Sequence, residues 1–264
     1  MRKILAGYYL IWALLSCPVF GSEITYSSVN PFVGGSSIEG EGLLLKGEIE
    51  PGDYQRLLKI IRANPDRFWQ SKGIVLASPG GDIQEALKIA RFVKGTYTPV
   101  FVGKATGPCV SACFFIYATA ARREAATETI GIHRPYVHPQ HLNSLTPRQA
   151  EALQKELLKQ ARSYLAELLV PTNIIDKMFQ RASTEVYWLS DDEIEEQLGR
   201  RPPWYEQFLI ARCGLDKSLE KRYFKGYDQA LLDRLVEVNN CGNRLSLPEA
   251  QAFLKTELKK SAKP

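Results

Sequence analysis

Three separated groups of residues in this 264-residue chain carry the parts of an acyl-transfer site. Ser78-Pro79-Gly80-Gly81-Asp82 closes a β-branched, apolar run. Gly107-Pro108-Cys109-Val110-Ser111-Ala112-Cys113 opens an apolar helical run, and Gly131-Ile132-His133-Arg134-Pro135 closes a third apolar segment. A serine hydroxyl is a poor nucleophile near neutral pH. It needs a base to take its proton and donors to hold the oxyanion of the tetrahedral intermediate. Ser111 stands at a helix start, beside free N–H groups and the positive end of the helix dipole. Gly81 has no side chain, so its N–H can approach a substrate carbonyl closely. The N–H of Ala112, directly after the serine, is the second donor. His133 is placed at a strand end, where a base could face the serine.

Taken singly, each residue has a plainer reading. A serine after a glycine is most often a helix cap, and a lone histidine is most often structural. The combination is what points to hydrolysis. Lys104 could pair with the serine instead, but no spacing argument supports that. His133, His138 and His141 fall within nine residues. Pro135 and Pro139 make that stretch an extended loop with no carboxylate nearby, so no metal set is assigned. No cofactor is expected.

These residues require elements that hold them. Gly42–Ile49 reads as a strand ended by Pro51-Gly52, and residues 53–63 as a helix that Asp53 can cap. Asn64-Pro65-Asp66 stops it. Gly73–Ala77 is a short unbroken apolar run, as in a buried parallel strand. A helix follows from Asp82 with Ile83, Ala86, Leu87, Ile89, Ala90 and Val93 on one face. Thr98–Gly103 is the next strand, Cys113–Ala121 a helix buried all round, and Thr129–His133 a further strand. Such alternation predicts an α/β fold with parallel strands, whose reactive groups gather where strands end and helices begin. A long helix runs from Thr146-Pro147 to Leu169 and a second from Ile174 to Gln180. Val186–Leu189 reads as a strand, and Ser190 with Glu193 is a capping box opening a helix that ends near Gly199. Arg200–Pro203 reads as a boundary. Residues 204–264 read as helices around Cys213 and Cys241, with a frayed Lys-rich tail.

Hydrophobic residues at 45% and charged residues at 24% are ordinary globular values, and the +5 charge is dispersed. That describes a solvated surface and excludes a nucleic-acid-binding patch. Arg2 and Lys3 precede an uncharged apolar run from Ile4 to Leu15, followed by Val19-Phe20-Gly21, the pattern of a signal peptide cut after Gly21. The run is short for a membrane span, which needs roughly 20 apolar residues. An uncleaved anchor and lipidation at Cys17 are the alternatives, and only through them would the chain touch a membrane. Each exports the body of the protein, with the periplasm as first choice of compartment. Cys109, Cys113, Cys213 and Cys241 allow three disulfide connectivities in an exported chain. Closeness in sequence favours Cys109–Cys113 and Cys213–Cys241, with free buried thiols as the alternative. Residues i and i+4 of a regular helix hold their Cβ atoms about 5–6 Å apart, whereas a disulfide needs about 3.5–4.5 Å. The first pair can therefore close only if Cys109 lies outside the helix or the first turn is distorted. Closed, it ties down the backbone on both sides of Ser111.

The Ser78-Pro79-Gly80-Gly81-Asp82 element, Ser111-Ala112 leading an apolar helix, and Ile132-His133-Arg134-Pro135, in that order, resemble the proteolytic subunit of the Clp serine peptidases. Trp188-Leu189-Ser190-Asp191-Asp192-Glu193 and the long helix extend the resemblance over about residues 40–200. It implies the spiral of ββα units of the ClpP/crotonase superfamily, with 147–169 as a protruding handle helix. On it, residues 1–21 are a signal peptide, 22–40 a surface arm, 41–200 the ClpP/crotonase-like domain and 201–264 a helical, disulfide-linked extension. Ser111 matches the nucleophile, His133 the base, and Gly81 with Ala112 the oxyanion donors. The family's aspartate falls at Val186. Glu185 and Asp176 are then the substitutes for a third member, with Asp191 and Asp192 also in reach only through tertiary placement. Peptide or protein substrates and a homo-oligomeric ring follow from the resemblance. A non-catalytic binding or scaffolding member of the envelope is the main alternative, and acyl-CoA chemistry on the same fold a weaker one.

Overall fold

The computed structural model describes residues 21–29, 32–33, 36–37, 40–137, 141–226 and 228–261. The leader, Cys17 and His138 lie outside the described residues. The chain forms a mixed α/β body followed by a helical C-terminal part. Strand β1 (Glu23–Val29) runs antiparallel to β4 (Gly40–Lys46), with Glu23 opposite Lys46 and Val29 opposite Gly40. Between them lie the two-residue strands β2 (Phe32–Val33) and β3 (Ser36–Ser37), which pair with each other. Within the stretch expected as an arm, 22–40, residues 23–29 are thus a paired strand where the sequence shows little periodicity. Serine and glycine hide the pairing signal, yet Ile24 and Tyr26 pack against the core. The strand forms because β4 offers it an edge, a partner invisible to local propensity.

Helix α1 (Asp53–Ala63) follows. Its cap position is Gly52. Asp53, expected to cap, is instead the first helical residue, buried and accepting from Ser22 Oγ at 2.6 Å and the Glu50 N–H at 3.0 Å. Asn64 does stop α1, and its side chain caps a short helix α2 (Pro65–Gln70). Strand β5 (Ile74–Ala77), helix α3 (Ile83–Thr96) and strand β6 (Val100–Val102) come next, all close to their expected positions. Strand β7 (Cys109–Val110) leads into helix α4 (Cys113–Thr119), whose side chains are all buried. Strands β8 (Arg123–Ala125) and β9 (Ile130–Ile132) complete this half.

The larger sheet has the order β1-β4-β5-β6-β8, with the last four strands parallel. Parallel strands buried on both faces account for the unbroken apolar run of Ile74–Ala77. β7 and β9 pair in parallel in a smaller sheet. A bridge between Ser78 and Cys109 brings the end of β5 against β7, so the two sheets meet at the glycine pair and Ser111.

The long helix α5 (Pro147–Glu167) starts where expected, with Pro147 in the first turn, and Thr146 with Gln149 closes a capping box there. Only Leu157, Ala161, Tyr164 and Leu165 are buried, so most of its surface faces solvent. Helix α6 (Thr172–Gln180) leads to strand β10 (Tyr187–Trp188), which pairs antiparallel with β9. Ser190 and Glu193 exchange the expected reciprocal bonds at the head of a π-helical segment, Glu193–Leu198.

Beyond Pro202 come helices α7 (Pro203–Cys213), α8 (Lys217–Lys225) and α9 (Gln229–Lys260). The tail expected to fray is helical to Lys260, because Leu254 of the last turns packs into the main core. Tyr205, Leu209, Leu215, Leu235 and Val238 form a smaller core of their own. Cys213 and Cys241 are bonded, joining the end of α7 to the middle of α9 across a sequence separation of 28. Closing a loop of that size constrains the unfolded chain, so Cys213→Ser/Cys241→Ser should lose about 3 kcal/mol. A denaturant midpoint equal to that of the wild type would show that the helices pack without the bond. Among the described residues no helix is long and apolar enough to cross a membrane.

Candidate functional site

The glycine pair is shaped by the strand before it. Ser78 Oγ lies 3.1 Å from the Gly80 N–H and accepts from it. The Ile49 N–H donates to the Gly80 carbonyl and the Asp82 N–H donates to the Ile49 carbonyl, each at 2.7 Å. This parallel bridge uses both groups of Ile49 and directs the N–H of Gly81 away from it. No described residue accepts from the Gly81 N–H. Gly80 and Gly81 have φ of 104° and 132°, values that other residues rarely adopt. A Cβ on Gly81 would stand 2.2 Å from the Ile49 carbonyl oxygen. One on Gly80 would stand 2.6 Å from Ser111 Cβ and 3.0 Å from the Ala112 nitrogen. Glycine at Gly80 is thus what lets the first loop close onto the serine.

Ser111 forms the elbow between β7 and α4. Its φ is 57°, in the left-handed region, which costs a residue with a Cβ roughly 1–2 kcal/mol. Strain of this kind collects at functional sites. The strand side is held by three bonds: Cys109 N–H to Thr129 at 2.8 Å, Val110 N–H to Ser78 at 2.9 Å and Ser111 N–H to Gly131 at 3.0 Å. The Ser111 side chain is half-buried. Among the described residues the Ala112 N–H has no acceptor. The two expected donors, Gly81 and Ala112, thus both lack an acceptor among the described residues, and each directly follows one partner of the close Gly80–Ser111 approach. Cys109 and Cys113 are bonded to each other, with Cys109 on the strand and Cys113 as the first residue of the helix. The pair closes for the reason expected, since Cys109 lies outside the helix.

His133 follows β9 and is buried. Its Nδ1 lies 3.1 Å from the Arg134 carbonyl oxygen. A carbonyl can only accept, so this contact places a proton on Nδ1 and leaves Nε2 as the nitrogen that can face the serine. The ring stacks on Tyr136, with centroids 6.1 Å apart. No hydrogen bond joins His133 to Ser111 among the described residues. Tyr187 pairs with Ile132 and Trp188 with Gly131, and the same register continued one residue further sets Val186 opposite His133. Val186 shares the face of Gly131, where its Cγ1 would be 2.7 Å from an added Cβ.

The acidic alternatives are engaged elsewhere. Asp176 pairs with Arg162 at 2.9 Å. Glu185 is exposed and precedes β10, its N–H closing a turn onto the Ala182 carbonyl at 3.1 Å. Asp191 accepts from Thr127 at 3.2 Å and Asp192 from Gln197 at 2.8 Å. Glu193 anchors the exit of β10. Burial opposes its ionisation, but bonds from Lys177, the Ser190 N–H and Tyr187 hold its carboxyl below the usual range. Lys104 is exposed and makes no bond to Ser111.

One pair escaped the sequence reading. His141 Nε2 lies 2.7 Å from Asp82 Oδ2, while Asp82 Oδ1 accepts the Glu85 N–H and caps α3. Asp82 follows the glycine pair directly, so His141 is tied to the shoulder of the site. Gln154 ties the loop segment 134–137 to α5, donating to the Pro135 carbonyl and accepting from the Val137 N–H, each at 2.9 Å. Nothing in local pattern announces partners 59 residues apart. Beneath the loop lies a groove of about 350 Å³ between α3 and α5, lined by Ile83, Tyr136, Val137, Leu145, Leu153 and Leu157 among others.

No protein-family profile and no curated protein matches the chain. Solved structures do resemble it. A point mutant of ClpP1 from Listeria monocytogenes is 20% identical, covering 61% of this chain and 88% of its own, with a TM-score of 0.42. A point mutant of the 1510-N membrane-bound stomatin-specific protease is 16% identical over 58% of this chain and 73% of its own, with a TM-score of 0.39. Another mutant of that protease, in complex with a substrate peptide, is 15% identical over 59% of this chain and 70% of its own, with a TM-score of 0.40.

Proposed function

We propose that the chain is an exported, Clp-like serine hydrolase that cleaves peptides. Ser111 attacks the scissile carbonyl, and His133 Nε2 takes the hydroxyl proton. The N–H groups of Gly81 and Ala112 receive the oxyanion. The imidazolium then protonates the leaving amine, and water, activated by the same ring, releases the acyl group. The observation that carries this reading is the left-handed Ser111 elbow packed against Gly80, with the Gly81 and Ala112 N–H groups lacking an acceptor among the described residues. A serine serving only as a helix cap needs neither the strained backbone nor the spare donors. The apolar groove adjoins Tyr136, which stacks on His133, and so receives an apolar substrate side chain next to the cleaved bond.

The leader and the two disulfides support export, with the periplasm as the compartment. Membrane attachment would come only through a retained leader or a lipidated Cys17. A homo-oligomer is part of the reading, since α5 leaves Leu153 partly exposed beside the groove. A second reading, a non-catalytic binding or scaffolding protein, is favoured by Val186 in the place of an orienting carboxylate.

A fluorophosphonate probe separates the two. The hydrolase reading expects one phosphonyl adduct, located by peptide mass spectrometry on Ser111. Folded protein that takes up no adduct after prolonged exposure would establish the binding reading.

A further inference from the structure

The left-handed turn at Ser111 has a cysteine two residues to either side, and those cysteines are bonded to each other. Backbone bonds from Cys109, Val110 and Ser111 anchor the elbow on its strand side, and the Phe114 N–H donates to the Ser111 carbonyl at 3.0 Å on the helix side, within the first turn of α4. On the helix side the Ala112 N–H has no acceptor among the described residues. The disulfide adds a covalent tie from the strand to the helix, from Cys109 across the turn to the first helical residue Cys113. Their Cα atoms are 5.3 Å apart, whereas five residues of extended chain would separate them by about 13 Å. If Ser111 relaxed into the extended region, the start of α4 would swing away from β7 and draw Cys113 from Cys109. The bond forbids that rotation while both strand-side hydrogen bonds and helix packing remain as they are. Both cysteines are fully buried, so the bond acts through the backbone and not as exposed thiol chemistry.

We infer that the Cys109–Cys113 disulfide is a positioning element of the site: it holds Ser111 in the left-handed turn that seats it against Gly80. This rests on the serine-hydrolase reading and adds a condition to it, that the nucleophile is assembled only in the oxidised chain.

The test is the Cys109→Ala/Cys113→Ala variant, followed by the kinetics of fluorophosphonate labelling. The maximal labelling rate should fall about tenfold, the change expected when a strained turn loses its tie, with the probe's half-saturation concentration unchanged. An unchanged maximal rate in the folded variant overturns the inference. So does a loss shared equally by rate and half-saturation, which marks a merely structural bond. Should this variant fail to fold, the Cys213→Ser/Cys241→Ser chain is refolded from denaturant with and without reductant. A tenfold slower reduced form with the same circular dichroism supports the inference; equal rates, or a reduced chain that does not fold, overturn it. If the oxidised wild type takes no label, the hydrolase reading fails on its own. The clamp is then judged by the Ser111 carbon chemical shifts, and a left-handed signature that survives loss of the bond overturns it.

Discussion

Val186→Asp should accelerate fluorophosphonate labelling of Ser111 by about a hundredfold, and His133→Ala should slow it by a similar factor or more. The strand register, continued one residue further, sets residue 186 opposite His133, on the face shared with Gly131. Val186 is 40% exposed, so an aspartate there enters a wetted position and costs little to introduce. In the wild type the ring stacks on Tyr136, and among the described residues its hydrogen-bond partner is the Arg134 carbonyl, 3.1 Å from Nδ1. A carbonyl fixes the tautomer but carries no charge to balance the imidazolium that forms during attack. A carboxylate does both, and in a complete triad its loss as an amide costs about 10⁴ in rate. A retrofitted residue recovers part of that factor. Val186→Asn, which offers an oxygen without charge, should recover much less. The rates are measured by gel fluorescence over time with all variants checked for folding. If Val186→Asp labels no faster than wild type, the ring does not lie where the register puts it, or charge behind it is not what limits attack.

The parts of this site that were legible in sequence are those whose cause is local. Gly80 and Gly81 show themselves because only glycine tolerates their backbone angles and neighbours. Ser111 shows itself as the polar residue at the head of a helix that is otherwise apolar on every face. The Ser190 capping box was readable because three-residue spacing is the whole of the signal. What stayed hidden depends on distant partners. β1 is a strand only because β4 has an open edge. Asp82 looks like an ordinary helix cap, and nothing near it announces His141. Val186 could be named as the empty position, yet the pairing of β10 with β9 that places it next to this strand is a contact between distant segments.

Arg123→Met is the substitution expected to cost most in stability, at about 3 kcal/mol or more. Its guanidinium is completely buried and meets no carboxylate. It donates instead to backbone carbonyls: to Gly199 at 2.8 Å, to Arg201 at 3.4 Å, and to Ala118 and Leu198. Burial pushes its pKa down to about 10, which leaves it charged at neutral pH. Ala118 lies near the end of α4, the helix that Ser111 begins, and Leu198–Arg201 is the crossing into the C-terminal helices. One side chain therefore satisfies the carbonyls where the two parts of the chain meet. Methionine fills much of the volume but leaves those carbonyls without donors, and a buried unpaired polar group costs about 1–3 kcal/mol. Arg162→Met is the comparison: that arginine is exposed and pairs with Asp176 at the surface, so its loss should stay within about 1 kcal/mol. Both are read from denaturant midpoints. Below its midpoint, Arg123→Met should label at the wild-type rate, because the residue holds the end of α4 and touches none of the reacting groups. A loss under about 1 kcal/mol would mean that water reaches these carbonyls. A slowed labelling rate in the folded variant would mean that α4 transmits changes at its far end to the serine.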